Sequence, residues 1–104
     1  MSTSATLQQI NDSTIQVSGL VDFESVLPYR SLGEQMIRSA SSDELVFDLS
    51  KADISSNIGV SLMLCWLRHG TQNGKKIAFQ AVPENLREII QVSGVEQILG
   101  LVEA

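Results

Sequence analysis

Apolar and polar positions alternate at the start of the chain and cluster with helical spacing later on. Leu7 to Ile10 and Thr14 to Gly19 have the two-residue period of half-buried strands. Asn11-Asp12-Ser13 between them is hairpin chemistry. Asp22 or Ser25 can then cap a helix whose inward stripe is Val26, Tyr29, Leu32 or Gly33, Met36 and Ile37. Pro28 falls in its first turn, where a missing N–H costs little. A serine-rich loop, Ser39 to Asp43, ends it. Leu45-Val46-Phe47 reads as a buried strand that surfaces at Asp48, and Ser50 to Asn57 is rich in turn and cap residues. From Ile58 to Leu67, eight of ten residues are apolar, which predicts a second helix. Arg68 and His69 suit its last turns, and Gly70 and Gly74 mark its end. Lys76 to Val82 is another strand. Pro83 opens a last helix with Leu86, Ile89, Ile90 and Val92 as apolar positions, closed by Ser93-Gly94. Val95, Ile98, Leu99, Leu101 and Val102 form an apolar tail, helical at first, with a final strand as the alternative for its end. The order β-β-α-β-α-β-α implies a partly parallel sheet and an α/β layer.

The Ile58 to Leu67 helix has almost no polar face, so it must bury two sides. At 100° per residue, Val60, Met63, Leu64 and Leu67 share one face, and Ile58, Leu62, Cys65, Trp66 and His69 share the opposite one. The first set predicts a core stripe. Two explanations stand for the second: a neighbouring helix of the same chain covers Trp66 and Leu62, or a partner protein does.

Length and charge narrow the function classes. The 104 residues fit a single domain, 1–104, with a modest core. A net charge of −5 argues against nucleic acid as a partner and against direct binding to an anionic membrane. No apolar run approaches the roughly 18 residues of a membrane span. The polar start, MSTSATLQQIND, is unlike a secretory signal, and one cysteine cannot form an internal disulfide. A cytoplasmic location is expected.

Catalytic chemistry is sparse. One His and one Cys give no metal-ligand set, and no cofactor motif is present: neither GxGxxG, nor a Walker loop, nor a nucleophile elbow. Cys65 and His69 are one helical turn apart, which reads as packing with a solvated tip rather than as a nucleophile pair. Asp48 and Asp53 flank the central turn and read as solvated loop carboxylates. Ser55, Ser56 and Asn57 are all good N-cap residues at the mouth of the second helix, which makes this loop a contact or modification point beside Ile58, Leu62 and Trp66.

Two stretches carry a resemblance: FDLSKADISSNIG, and VSLMLCWLRHGTQNGKKIAF with the later PENL and SGV…IL. They resemble the STAS domain, and within it the MlaB-like, or toluene-tolerance, proteins, over nearly the whole chain. The resemblance implies a mixed four- to five-stranded sheet with three to four helices packed mainly on one face. It implies a non-catalytic subunit that binds the ATPase of an ABC transporter, and through it the permease, in phospholipid trafficking that maintains outer-membrane lipid asymmetry. Such a subunit sits in the cytoplasm, peripheral on the inner membrane through its partner, and brings no cofactor of its own. The expected partner-binding residues are Ser55, Ser56, Asn57, Ile58, Leu62, Cys65, Trp66 and His69. The alternative within the superfamily is an anti-sigma factor antagonist that binds a kinase and is switched by serine phosphorylation. Against the family motif, Ser56 stands at the Asp position, Asn57 and Ile58 at the next two, and Gly59 at the Gly. Ile58 has no hydroxyl at the acceptor position, so Ser55 and Ser56 are the candidate phosphosites. The apolar helix face also makes a homodimer of the isolated chain an expectation.

Overall fold

The computed structural model describes residues 5–93 and 100–102. Strands β1 (Thr6–Asn11) and β2 (Thr14–Val21) form an antiparallel hairpin closed by a two-residue loop at Asp12-Ser13. Helix α1 (Val26–Ser39) leads to β3 (Glu44–Ile54), α2 (Ser56–Gln72) to β4 (Lys76–Gln80), and α3 (Glu84–Ser93) precedes β5 (Gly100–Val102). The sheet order is β1-β2-β3-β4-β5, with every pair after the first parallel. This is the expected mixed α/β sheet. The predicted terminal strand is present as β5, while Gly94, Val95, Ile98 and Leu99 lie outside the described residues.

One face of the sheet makes the core. Ile15, Phe47 and Phe79 sit at matching register on β2, β3 and β4, all at zero exposure, with Val17, Leu45, Leu49 and Ile77 beside them. The three helices cover that face, α2 in the centre and in contact with both α1 and α3. From α1 come Tyr29 and Ile37, and from α3 Leu86 and Ile90. The Tyr29 hydroxyl donates to the Ser18 carbonyl of β2 and so ties α1 to the sheet.

Two predicted boundaries move. Strand β3 does not give way to a turn at Ser50 but runs on to Ile54, because Lys51 to Ile54 pair with Ser18 to Val21 of β2. An extra β3 residue between Asp48 and Lys51 absorbs the change of register as a bulge, and the Asp48 carboxylate accepts the Ser50 N–H there at 2.9 Å. The polar residues Ser50, Lys51 and Asp53 look like a turn, but a long-range ladder holds them extended. Strand β4 stops at Gln80 rather than Val82, since Ala81 takes φ 57° and breaks the ladder.

Candidate functional site

The face of α2 assigned to a partner is divided by the structure. Leu62 and Trp66 are core residues, 2% and 0% exposed. The Trp66 indole stacks on Phe47 with ring centres 4.3 Å apart and planes 14° from parallel, and its Nε1–H donates to the Arg30 carbonyl at 3.3 Å. Gly33 of α1 makes room for it: a Cβ there would lie 2.2 Å from the indole nitrogen. Leu62 and Trp66 are therefore withdrawn as partner contacts, and substituting either one strikes the core. The intramolecular explanation holds for both. The predicted core stripe is shifted as well. Met63 is buried, but Val60, Leu64 and Leu67 are only half-buried, and the inward line runs through Gly59, Leu62, Met63, Trp66 and Gly70. A helix flanked on both sides by other helices is apolar over most of its circumference, so periodicity alone does not define which line faces the sheet.

Ser55, Asn57, Ile58, Cys65 and His69 do reach the surface. Ser55 takes the N-cap position of α2 in extended geometry (φ −63°, ψ 136°) with its hydroxyl not bonded to the helix. Its backbone is committed: the N–H donates to the Val21 carbonyl at 3.0 Å, and its carbonyl accepts from Gly59 at 2.7 Å. The mouth of α2 is thus anchored beside the end of β2, where the chain turns into α1. Gly59 sits where α3 presses on α2, since a Cβ there would lie 2.5 Å from Leu86 Cδ2.

That corner holds residues the sequence reading did not single out. Phe23 and Leu27 are 82% and 65% exposed; Leu20, 56% exposed, faces the open side of the sheet, because Gly19 and Val21 on either side of it face the helices. Among the described residues the other exposed large apolar side chains are Ile10 on β1 and Val92 on α3. Phe23 is displayed on a braced loop. The Asp22 carboxylate accepts the N–H groups of Glu24 and Ser25, both at 3.0 Å. The buried Ser25 hydroxyl accepts the Asp22 N–H at 3.0 Å and lies 2.9 Å from the Leu20 carbonyl oxygen. Leu27 continues onto a shallow apolar hollow of about 150 Å³ between α1 and α2, floored by Val26, Ile58, Leu62 and Cys65. Asp22 and Glu24, on either side of Phe23, supply negative charge around this corner. A fixed apolar centre with a charged border has the make-up of a protein-docking surface. The one available signal in the sequence was Phe23 between two acids, a large aromatic where a polar turn was expected.

Further along the same interhelical line the chemistry changes sign. A polar hollow of about 270 Å³ is lined by Arg30, Glu34, Cys65, Arg68, His69 and Gln72. Arg30 Nε–H donates to Glu34 at 3.0 Å, and Arg38 Nη1 lies 3.2 Å from His69 Nε2. A guanidinium only donates, so His69 Nε2 accepts and its ring proton sits on Nδ1. The hydrogen bond that Arg30 donates to Glu34, then the charges of Cys65 and Glu34, hold Arg30 above its ordinary pKa. Among the described residues no group of three or more His, Cys, Asp or Glu side chains could hold a metal ion, and no helix is long and apolar enough to cross a membrane.

The family described as Mlab, STAS domain, matches residues 4–103. The chain belongs to this family. A chain of the Acinetobacter MlaFEDB complex in an ATP-bound conformation (Vtrans1) is 28% identical, with a TM-score of 0.77 over 93% of this chain and 100% of that one. In the Vtrans2 conformation the values are 29%, 0.75, 86% and 93%. The unphosphorylated anti-sigma factor antagonist SpoIIAA shares the fold at 17% identity, with a TM-score of 0.73 over 97% of this chain and 88% of that one. No curated protein sequence gives a significant match.

Proposed function

We propose that this STAS domain is a non-catalytic cytoplasmic subunit that docks on the ATPase of a phospholipid-transporting ABC complex, peripheral to the inner membrane through that partner. The observation that carries the reading is the apolar corner of Phe23, Leu27 and Ile58 at the mouth of α2, with Phe23 on a braced loop, in a domain similar to a chain of the MlaFEDB assembly. Phe23 and Leu27 would seat in an apolar socket of the ATPase, and Asp22 and Glu24 would meet its basic border. Ser55, Ser56 and Asn57 would supply polar contacts, with Cys65 and His69 further along the groove. A side chain already fixed by its loop loses little freedom on docking, so more of its burial appears as affinity. ATP belongs to the partner in this arrangement.

The test is capture of the ATPase and permease from detergent-solubilised membranes by tagged wild type, Phe23→Asp and Leu27→Asp. Wild type is expected to recover both components, and either variant, with unchanged circular dichroism, to lose at least about tenfold in capture, as for a central interface anchor. Undiminished capture by both folded variants would overturn this docking surface.

A second reading, partner switching by serine phosphorylation, is favoured by one observation: the Ser55 hydroxyl stands exposed at the end of α2 with no cap bond. A phosphate at Ser55 or Ser56 beside the apolar corner would repel a partner by charge and desolvation. Intact-mass spectrometry of the protein from stressed and unstressed cells decides it, an unmodified chain throughout counting against the switch.

A further inference from the structure

The arginines of this acidic chain are not scattered. They are Arg30, Arg38, Arg68 and Arg87, and the first three gather with the single histidine along the groove between α1 and α2. Glu34 is the one carboxylate lining the polar hollow. The hollow's lining sets Arg30 and Arg68 against the one carboxylate of Glu34, and Arg38 adds a third guanidinium through its contact with His69, so the groove is locally positive on a protein of net charge −5. Arg30 and Cys65 line both this hollow and the apolar one at the mouth of α2, so the two lie end to end along one interhelical channel. Both helices follow parallel strands and therefore run in the same direction. The channel is consequently apolar at its N-terminal end, at Val26, Leu27 and Ile58, and cationic at its C-terminal end, at Arg68, Arg38 and His69. From Leu27 to Arg38 is eleven residues of helix, about 17 Å. An extended peptide of five or six residues spans that length.

We propose that the α1–α2 channel is a second recognition site, one that takes a short segment of a partner polypeptide with an apolar side chain at one end and two or more carboxylates at the other. The apolar side chain would fill the hollow by Leu27 and Ile58. The carboxylates would reach Arg68, Arg38 and the donors of Arg30 that Glu34 leaves open, and guanidinium–carboxylate pairing gives the segment a fixed direction. A membrane surface fits less well, because a narrow groove between helices presents no flat face and the rest of the molecule is negative. The site goes beyond the docking corner, and it rests on the reading of this chain as a docking subunit only for the identity of the protein that donates the segment.

The experiment needs no identified partner. The probe is a synthetic eight-residue peptide with Leu and Phe at one end and four glutamates at the other, made in both sequence directions, with a lysine-for-glutamate control. Titration into ¹⁵N-labelled protein is expected to shift α1 and α2 amides and the Arg30 and Arg68 Nε–H signals for one direction of the acidic peptide. The lysine peptide should bind at least about tenfold more weakly. The doubly substituted Arg38→Glu, Arg68→Glu protein changes only exposed side chains and is expected to lose binding by a similar factor. Absence of binding at millimolar peptide, or equal binding by the double variant, overturns the site. Sedimentation of wild type with phosphatidylglycerol vesicles, abolished in the double variant, also overturns it by making the arginines a lipid-headgroup site. Phe23→Asp is run in parallel: it should lose the ATPase and keep the peptide. Peptide binding without any ATPase capture would leave the channel standing and fell the transporter reading. Phe23-dependent capture without peptide binding would do the reverse.

Discussion

Two aromatic residues divide the labour of this domain. Trp66 is sealed between Phe47 below and Gly33 above, while Phe23 projects into solvent from a loop held by Asp22 and Ser25. Their substitutions should separate cleanly. Trp66→Ala removes a fully buried ring and is expected to cost about 3–5 kcal/mol of stability, measured by urea unfolding. Gly33→Ala puts a methyl group into the indole, an overpacking expected to cost about 1–3 kcal/mol in the same measurement. Phe23→Asp should change stability by no more than about 0.5 kcal/mol, because it alters an exposed position outside any helix or strand. A Trp66→Ala protein as stable as wild type would mean that the ring does not occupy the core pocket.

Elements meet here through a few side chains that reach backbone groups. The Ser25 hydroxyl, buried at the start of α1, lies within hydrogen-bond distance of three groups around the β2–α1 turn. Ser25→Ala strands some of them without water, a loss of about 1–3 kcal/mol, and loosens the loop that displays Phe23. It is expected to weaken capture of the partner more than a surface substitution of the same size would, which paired unfolding and capture measurements would show. At the base of α3, the Asn85 amide donates to the Ile54 carbonyl at 3.1 Å, where β3 gives way to α2. Hydrogen exchange of the first turn of α3 should quicken in Asn85→Ala while the β2 and β3 amides stay protected. Equal exchange in both proteins would show that Leu86 packing alone holds α3 in place.

Across the whole molecule, charge and hydrophobicity are distributed by location. Acidic residues border an exposed apolar corner at the mouth of α2, and arginines line the channel leading away from it. The single tryptophan lies outside both, at zero exposure. Its fluorescence should resist quenching by acrylamide or iodide in the native protein and become quenchable on unfolding. Quenching by iodide without denaturant would contradict the burial of Trp66.

Much of the architecture was legible along the chain because it rests on local signals. Alternation in Thr14 to Gly19, the Asn11-Asp12-Ser13 turn and the apolar block from Ile58 to Leu67 each express a backbone period or a turn preference, so the element order follows from them. The extension of β3 through Lys51 to Ile54 was not legible, since only pairing with β2 keeps those polar residues extended. Nor was the orientation of α2. Its residues are apolar nearly all round, and the line that meets the sheet was decided by a gap in α1, at Gly33, that the indole of Trp66 could fill. The exposure of Phe23 and Leu27 was decided in the same way: both look like ordinary core residues in one dimension, and Tyr29 and Ile37 turn inward in their place. Local sequence thus determined which segments form helices and strands, whereas the packing of α1 against α2, a matter of shape between segments distant in the chain, decided which of their apolar residues stay exposed.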